Sequence, residues 1–362
     1  MITVRTLTDG GQQPLEIARA VAGFLGEARA TLDLALYDLN LGPETAEVVT
    51  GAIKGAAQRG VAVRLVYNVD HRGPIPVPPP CRTDETLIAE LGVPARAIAG
   101  IPDLMHHKYA VRDRESVWTG STNWTDDSWS REENVIVTID SPGIAAAYAQ
   151  DFEQLWSTGD VAQSGKVEPN PVRVDGTRVR AWFCPGEGEE LSHHIAKRIG
   201  HARRRIRIAS PIVTSGPILG TVAEVAADRK VDLAGVVDLT QVEEVLQQWR
   251  ENANAGWKIP ALRHLLACAP FSGKRSTSYG PSTVHDYMHA KITVTDDVVF
   301  AGSYNLSHSG ELNAENVLEI EDEALADRLA AYVDEVRARY PAAELREPRR
   351  PRRRLRLYRR ST

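Results

Sequence analysis

The chain has 362 residues, of which 43% are hydrophobic and 25% are charged, and its formal net charge is −5. These values are typical of a globular protein with two domains or one large two-lobed unit, and they exclude a chain that is disordered throughout. No run reaches the roughly 18 apolar residues that a transmembrane helix requires. The N-terminus shows no signal-like segment, and the three cysteines are far apart, so we expect reduced thiols in a cytoplasmic protein.

The charge is unevenly distributed along the chain. Residues 346–362 contain nine arginines against one glutamate, a net charge of +8, which leaves −13 for the rest. We expect this Arg-rich segment to be disordered, because it lacks a core-forming pattern. We expect it to bind a polyanion, either an anionic membrane surface or the phosphate backbone of a nucleic acid, rather than to serve only as a solubilising end.

The first half alternates helices and strands, which is the order of an α/β layered domain. Hydrophobic periodicity predicts a helix over 13–29, a strand over 31–37, a helix from Pro43 to Gly60, a strand over 61–67, a strand over 133–137 and a helix over 143–156. Five prolines between Arg72 and Arg82 predict a stiff extended loop, either a wall of the site or an inert surface loop.

The second half repeats this order. The predicted elements are a helix over 191–202, a strand over 205–209, a helix over 218–228, a strand over 231–237, an additional helix over 241–252, a loop over 269–283, a strand over 316–320 and a helix over 323–340. We therefore expect two similar α/β/α sandwich lobes, 1–157 and 177–341, related by a pseudo-twofold axis. Residues 158–176 form the predicted linker, and 342–362 the C-terminal segment.

One pattern of polar residues occurs twice. Its first copy consists of His106, Lys108, Asp113, Gly120, Ser121 and Asn123, and its second of His289, Lys291, Asp296, Gly302, Ser303 and Asn305. The separation is 183 residues for the first three positions and 182 for the last three. A Glu-Asn pair follows each copy at the same separation of 182, Glu133-Asn134 and Glu315-Asn316. The chain is therefore an internal duplication, and the duplicated part is a site.

These residue types suit a phosphate diester. Alternate residues of a strand share a face, so His106 and Lys108 point the same way and His107 points away. If the lobes pack about the pseudo-twofold axis, two imidazoles, two ammonium groups and the Ser and Asn side chains surround one phosphate. The lysines would do the work of a metal, so no cofactor is expected. One histidine would attack phosphorus and the other would act as general acid and base.

Each imidazole also needs a carboxylate to fix its tautomer. We prefer Glu133 and Glu315 for this role, and Ser121, Asn123, Ser303 and Asn305 as supports for the phosphate. Asp113 and Asp296 either belong to the catalytic set or are structural residues at strand ends.

The doubled pattern resembles the paired HKD motifs of the phospholipase D superfamily, over the whole chain except its C-terminal segment. The resemblance implies two α/β/α lobes with one active site at their interface, and a metal-independent phosphodiesterase or phosphatidyltransferase that forms a phosphohistidine. It also implies His106 as nucleophile, His289 as general acid and base, and catalytic roles for Lys108, Asp113, Lys291 and Asp296.

Three functions remain open. The first is a phospholipase D-type enzyme on phospholipid, the second a nuclease of the same superfamily, and the third a non-catalytic binding protein. The acidic body disfavours nucleic acid, and the intact motifs disfavour a binding protein, so we prefer phospholipid. We expect a monomer with pseudo-dimeric lobes, cytoplasmic and peripheral to the membrane.

Three further expectations concern aromatic and histidine side chains. Trp124 and Trp129 either line the cleft or pack in the core. His107 is interpreted as an ordinary, partly exposed histidine. A metal site at His285 and His289 is disfavoured, because His289 belongs to a strand-like repeat.

Overall fold

The computed structural model describes residues 1–69, 83–252, 255–280 and 283–346. The proline-rich loop and residues 347–362 of the Arg-rich segment lie outside the described residues. Within the described ranges, no helix has both the length and the apolar character needed to cross a membrane.

The first lobe is built on a seven-stranded sheet in the order β1-β9-β7-β6-β2-β4-β5. Its elements in chain order are β1 (Ile2–Leu7), α1 (Pro14–Gly26), β2 (Thr31–Leu36), β3 (Leu39–Asn40), α2 (Pro43–Gln58), β4 (Ala62–Val69), α3 (Glu85–Glu90), β5 (Ala95–Ala99), β6 (Lys108–Arg112), β7 (Ser116–Gly120), β8 (Trp124–Thr125), α4 (Asp126–Ser130), β9 (Asn134–Asp140) and α5 (Pro142–Thr158).

The second lobe is built on an eight-stranded sheet in the order β10-β11-β17-β16-β15-β12-β13-β14. A 3₁₀ helix (Val161–Gln163) precedes it, and its elements are β10 (Val172–Val174), β11 (Thr177–Cys184), α6 (Gly188–Gly200), β12 (Arg205–Ala209), α7 (Gly216–Asp228), β13 (Asp232–Asp238), α8 (Leu239–Asn252), α9 (Lys258–Cys268), β14 (Phe271–Lys274), β15 (Ile292–Thr295), β16 (Val298–Gly302), α10 (His308–Leu312), β17 (Glu315–Glu321) and α11 (Glu323–Arg339).

The strand orders confirm the predicted duplication. From β11 to β14 the second sheet repeats the arrangement that runs from β1 to β5 in the first, with β10 added at its edge. In each sheet two parallel pairs, such as β2 with β4, adjoin an antiparallel hairpin, such as β6 with β7. Two similar α/β lobes are therefore present, as the sequence predicts.

Helices cover both faces of each sheet. Helices α1 and α2 pack on the outer face of the first sheet, and α6 to α9 on the outer face of the second. Helices α5 and α11 lie between the two sheets, where their apolar residues join those of both inner faces in one cluster. On β9, for example, Val135 and Val137 enter this cluster while Ile136 faces the outer core, as strand alternation requires. The lobes thus share a continuous apolar interface.

The structure also corrects several predicted boundaries. Strand β14 lies within the predicted loop 269–283, because its four residues pair in parallel with β13 at the sheet edge. Strand β10 lies within the predicted linker and pairs with β11. Strand β1 and helix α9 fall in stretches to which the sequence analysis assigned no element.

Candidate active site

The hairpins β6–β7 and β15–β16 carry the two His-x-Lys patterns. Lys108 opens β6, and the turn of that hairpin begins at Asp113, whose φ is 55°. Asp113 Oδ1 accepts hydrogen bonds from the backbone N–H groups of Ala30 (2.7 Å) and Thr31 (3.0 Å), just before and at the start of β2. Five residues of strand, about 16 Å, separate this turn from Lys108.

Asp296 occupies the same place in the second lobe. Its φ is 50°, and its Oδ1 accepts the backbone N–H groups of Arg204 (2.8 Å) and Arg205 (3.1 Å). Although burial opposes it, these backbone hydrogen bonds lower the pKa of the carboxyl, as the equivalent bonds lower the pKa of Asp113. Of the two roles left open for Asp113 and Asp296, these contacts favour the structural one, in which each carboxylate ties its hairpin to the neighbouring strand.

The glycines of the repeated pattern allow strands to approach closely. A Cβ atom on Gly120 would lie 2.1 Å from the carbonyl oxygen of Val135, and one on Gly302 would lie 2.1 Å from that of Asn316. The φ of Gly120 is also +142°, which a residue with a side chain rarely adopts. Only glycine fits at these two positions.

The two serines support strands rather than facing the cleft. Ser121 Oγ accepts the backbone N–H of Val135 (2.9 Å) and donates to Asn134 Oδ1 (2.6 Å). Ser303 Oγ accepts the backbone N–H of Asn316 (3.0 Å). Asn123 and Asn305 are partly exposed, and their Oδ1 atoms make no hydrogen bond within the described residues. Because Oδ1 only accepts hydrogen bonds, it is the amide nitrogens of these two asparagines that could donate to a phosphate.

His106 is held from the opposite lobe. Its Nδ1 lies 2.7 Å from Oε1 of Glu315 at the start of β17, and both side chains are buried. The backbone N–H of His106 donates to the carbonyl oxygen of Ala314 (2.9 Å). Tyr37 packs edge-on against the imidazole, with ring centroids 4.6 Å apart. The contact to Nδ1 leaves Nε2 as the nitrogen that can react.

His289 is held reciprocally by the first lobe. Its backbone N–H donates to the carbonyl oxygen of Glu133 (3.1 Å). Its Nδ1 lies 3.2 Å from Asn134 Oδ1 and 3.3 Å from Glu132 Oε2. The carboxylate beside this histidine is therefore Glu132, which the sequence analysis did not consider.

The predicted role of Glu133 beside His289 is wrong. Its carboxylate points to the other side of the chain, where it accepts hydrogen bonds from Lys274 Nζ (2.9 Å) and from the hydroxyl of Tyr340. The sheet register explains the error. Gly120 pairs with Ile136 and Gly302 pairs with Val317, a separation of 181 residues rather than 182. Asn134, not Glu133, is thus the structural equivalent of Glu315.

Two buried lysines complete the cluster. Lys108 Nζ donates to the carbonyl oxygen of His106 (2.7 Å), and Lys291 Nζ to that of His289 (2.6 Å). Lys108 Nζ also lies 4.7 Å from the ring centroid of Tyr37. The Nζ atom of each lysine is therefore held against the backbone of the histidine that lies two residues before it.

Burial governs the protonation of the cluster, since a low-dielectric site disfavours every charge. It lowers the pKa of His106 and His289 well below the ordinary value, and the charges of both lysines add to this effect. Burial lowers the pKa of Lys108 to about 7 although Glu315 opposes it, and raises the pKa of Glu315 to about 8 although Lys108 opposes it. The charges of Lys291 and His289, from the second lobe, contribute to the lowered pKa of His106 in the first.

Buried amide and carboxylate groups behind the histidines went unnoticed in the sequence. Asn68 Oδ1, in β4, accepts the backbone N–H of Met105 (3.0 Å), and Asp238 Oδ2, at the end of β13, accepts that of Met288 (3.0 Å). Each therefore fixes the residue before a histidine. No sequence motif marks them, because they come from strands far away along the chain.

For the neighbouring side chains, one open alternative is resolved and one expectation is corrected. Trp124 and Trp129 are 1% and 0% exposed and belong to the outer core of the first lobe, so they do not line the cleft. His107 is 0% exposed rather than partly exposed. Within the described ranges, no group of three His, Cys, Asp or Glu side chains is arranged to hold a metal ion.

Comparison with known proteins identifies the chemistry to which this arrangement is related. A family model described as cardiolipin synthase, PLD-like domain, matches residues 21–156 and 195–337. The mitochondrial cardiolipin hydrolase of Homo sapiens is 32% identical over 164 residues, which are 43% of this chain and 60% of that protein. The chain thus spans about three fifths of that curated relative.

Two solved structures share the fold over nearly the whole chain. Phosphatidylserine synthase of Haemophilus influenzae Rd KW20 matches with a TM-score of 0.62 and 12% identity, covering 93% of this chain and 86% of that one. Polyphosphate kinase from Porphyromonas gingivalis matches with a TM-score of 0.59 and 12% identity, covering 92% of this chain and 46% of that one. At this identity the likeness shows the fold alone.

Proposed function

Because this chain belongs to the phospholipase D superfamily and matches its cardiolipin synthase-type domain, we propose that it is a phosphodiesterase that cleaves phospholipid through a phosphohistidine. The observation that carries the proposal is the reciprocal support of His106 and His289, each held by the other lobe beside a buried lysine. The relatives named cardiolipin hydrolase favour an anionic phospholipid, cardiolipin included, as substrate.

In the proposed first step, Nε2 of His106 attacks phosphorus. The bond between phosphorus and the alcohol oxygen breaks, and His289, which must carry a proton at this stage despite its lowered pKa, gives that proton to the oxygen. In the second step His289 takes a proton from water, the hydroxide bonds to phosphorus, and the bond between phosphorus and His106 breaks. Lys108 and Lys291 would balance the charge on the phosphate oxygens, with the Asn123 and Asn305 amides as further donors.

The unequal partners of the two histidines support this assignment. A phosphorylated imidazole becomes cationic, and the carboxylate of Glu315 at 2.7 Å is placed to balance that charge. His289 contacts a neutral amide at 3.2 Å and a carboxylate at 3.3 Å. These longer contacts stabilise its protonated form less than the contact at 2.7 Å would stabilise a charged His106 ring. This suits a group that must give and take a proton in each cycle.

The test is direct. The protein, with EDTA present, is incubated with vesicles of phosphatidylcholine, phosphatidylglycerol or cardiolipin, and separately with single- and double-stranded DNA and with RNA. Release of phosphatidic acid or of free headgroup, without nucleic acid cleavage, is the expected result. Cleavage of nucleic acid alone would make the protein a nuclease, and activity that requires added metal would refute the proposed mechanism. The His106→Ala protein is the negative control in every arm.

A further inference from the structure

His107 is a buried titratable residue that the proposed mechanism does not use. Its ring lies between an amide and a carboxylate, with Nδ1 3.1 Å from Asn316 Nδ2 and Nε2 3.0 Å from Asp151 Oδ2. The second contact is close but is not aligned as a hydrogen bond. All three side chains are 0% exposed. A polar cluster this deep in the interface between lobes must be satisfied by specific partners.

The surrounding hydroxyl groups fix the orientation of the Asn316 amide. Its Oδ1 accepts hydrogen bonds from Thr119 Oγ1 (2.7 Å) and from the hydroxyl of Tyr148 (2.9 Å). The amide nitrogen therefore faces His107 and donates to Nδ1, which leaves the ring proton on Nε2, towards Asp151. Asp151 is held in turn by the hydroxyl of Tyr109 (2.9 Å) and the backbone N–H of Gly165 (3.1 Å).

The contact between His107 and Asn316 continues the pairing of the two segments that holds His106 against Glu315. A parallel bridge joins Met105 to Ala314, and the next two residues of each segment follow in step. His106 meets Glu315, and His107 meets Asn316 one position further on. Because successive side chains point to opposite faces, the first contact lies on the cleft side and the second on the core side. A shift in one contact would therefore displace the other.

The second lobe lacks this polar backing. Behind His289 and Asn134, the corresponding residues are Ala290 and Val135, both buried in the shared apolar core. Apolar packing tolerates small shifts, whereas a buried hydrogen bond with fixed partners does not. The constraint is thus present only beside His106.

We propose that His107 is a positioning residue, which through Asn316 fixes His106 against Glu315 and so orients the imidazole that attacks phosphorus. This inference rests on the proposed function for the identity of the attacking group.

Two conservative variants separate the two contacts of His107. His107→Asn places an amide oxygen near the position of Nδ1 and keeps an acceptor for Asn316. His107→Gln extends its amide towards the position of Nε2 and keeps the contact to Asp151. With bis(4-nitrophenyl) phosphate as substrate, we expect His107→Asn to retain most of kcat. We expect His107→Gln and His107→Ala to lose about tenfold to a hundredfold in kcat with KM little changed, because misplacement of a reacting group costs this much.

Val222→Ala is the control for lost stability, since Val222 lies in α7 and packs in the outer core of the second lobe. It should lower Tm and leave kcat unchanged. Equal losses in the Asn and Gln variants, or losses that simply follow Tm, would overturn the positioning role.

A second readout needs no substrate. In protein labelled with ¹⁵N-histidine, the shifts of Nδ1 and Nε2 report the tautomer of His106 and its contact with Glu315. We expect them to change in His107→Gln and His107→Ala, but not in His107→Asn. If the wild-type protein cleaves no diester, the proposed function fails, whereas unchanged His106 shifts in all three variants would refute the positioning inference itself.

Discussion

Nδ1 of His106 lies 2.7 Å from Oε1 of Glu315, so a side chain of one lobe fixes the ring of the proposed nucleophile in the other. Neither lobe is therefore a complete site by itself. Once Glu315 is ionised, the contact also dictates the tautomer, since its carboxylate then holds the ring proton on Nδ1 and frees the Nε2 lone pair.

We predict that Glu315→Gln lowers kcat by about 100-fold or more, because an amide can donate to Nδ1 and favour the wrong tautomer. Steady-state kinetics with bis(4-nitrophenyl) phosphate measures the loss. Glu319→Gln is the matched control, because Glu319 is also buried on β17 but contacts His194 and Arg198 instead. A variant at 315 with wild-type kcat would show that the carboxylate does not orient the ring.

The same carboxylate should make stability depend on pH. Burial raises the pKa of Glu315 to about 8, above its ordinary value of 4.5. The folded state therefore holds this proton more tightly than the unfolded state. The resulting stability is fully present below pH 4.5 and is lost as pH rises through 8.

Urea unfolding at pH 5 and pH 8 measures this effect. We expect the free energy of unfolding to fall more steeply with pH in the wild type than in Glu315→Gln, which has no proton to lose there. Glu319 should behave in the opposite way. Although burial opposes it, His194 and its other partners lower the pKa of Glu319 to about 2, so its contribution is lost as pH falls from 4.5 through 2. Identical pH dependence in wild type and Glu315→Gln would contradict the raised pKa.

The division of labour between the histidines predicts a trapped intermediate. An aryl leaving group needs little help from a general acid, so His289→Ala should still let His106 attack bis(4-nitrophenyl) phosphate. Without a general base the phosphohistidine should accumulate, as a mass increase located to the peptide that contains His106. His106→Ala should show no adduct. An adduct on His289 in the His106→Ala protein would reverse the two roles.

The parts of the fold and site that could be predicted from the sequence are those marked by residue types at a fixed spacing. Two copies of His-x-Lys and Gly-Ser-x-Asn predicted two lobes, and the strand orders of both sheets confirm this. The glycines are readable in the sequence because no other residue lets the strands at Gly120 and Gly302 approach so closely.

The choice of carboxylate for His289 could not be read in the same way. The sequence aligns Glu133 with Glu315, but one residue of slippage between the two sheets places Asn134 there instead. A shift of one residue turns a side chain to the opposite face of a strand, so the error moved the predicted carboxylate out of the site. Residues such as Asp238, which fixes the backbone next to His289, lie on strands far away along the chain, so no local sequence pattern predicts them.

Glu132 and Glu133 are adjacent, but we expect their substitutions to affect different properties, kcat for Glu132 and the free energy of unfolding for Glu133. Glu132→Gln removes the carboxylate beside His289, so we expect kcat to fall with little loss of stability. Glu133→Gln removes one of the two carboxylates that contact buried Lys274 among the described residues and leaves Asp9, at 3.1 Å. We expect it to cost about 3 kcal/mol of unfolding free energy and to affect kcat less. Urea unfolding and kinetics on both variants separate the cases, and the reverse pattern would restore Glu133 to the site.

Asp113 and Asp296 provide the last test, because the repeated pattern includes them and the geometry assigns them to turns. Asp113→Ala and Asp296→Ala each remove an acceptor for backbone N–H groups next to a strand and place alanine at positive φ. We expect each to lower the free energy of unfolding by about 2 kcal/mol, while kcat of the folded protein stays close to that of the wild type.

Asp175→Ala is the matched control, since Asp175 also has positive φ (49°) but, among the described residues, pairs with the exposed N-terminal ammonium group alone. It should reproduce the cost of the backbone conformation without that of the lost acceptor. A large fall in kcat for Asp113→Ala, with stability equal to that of Asp175→Ala, would return this carboxylate to the catalytic set. Because the turn lies about 16 Å along the strand from Lys108, such a result would also require the hairpin to rearrange.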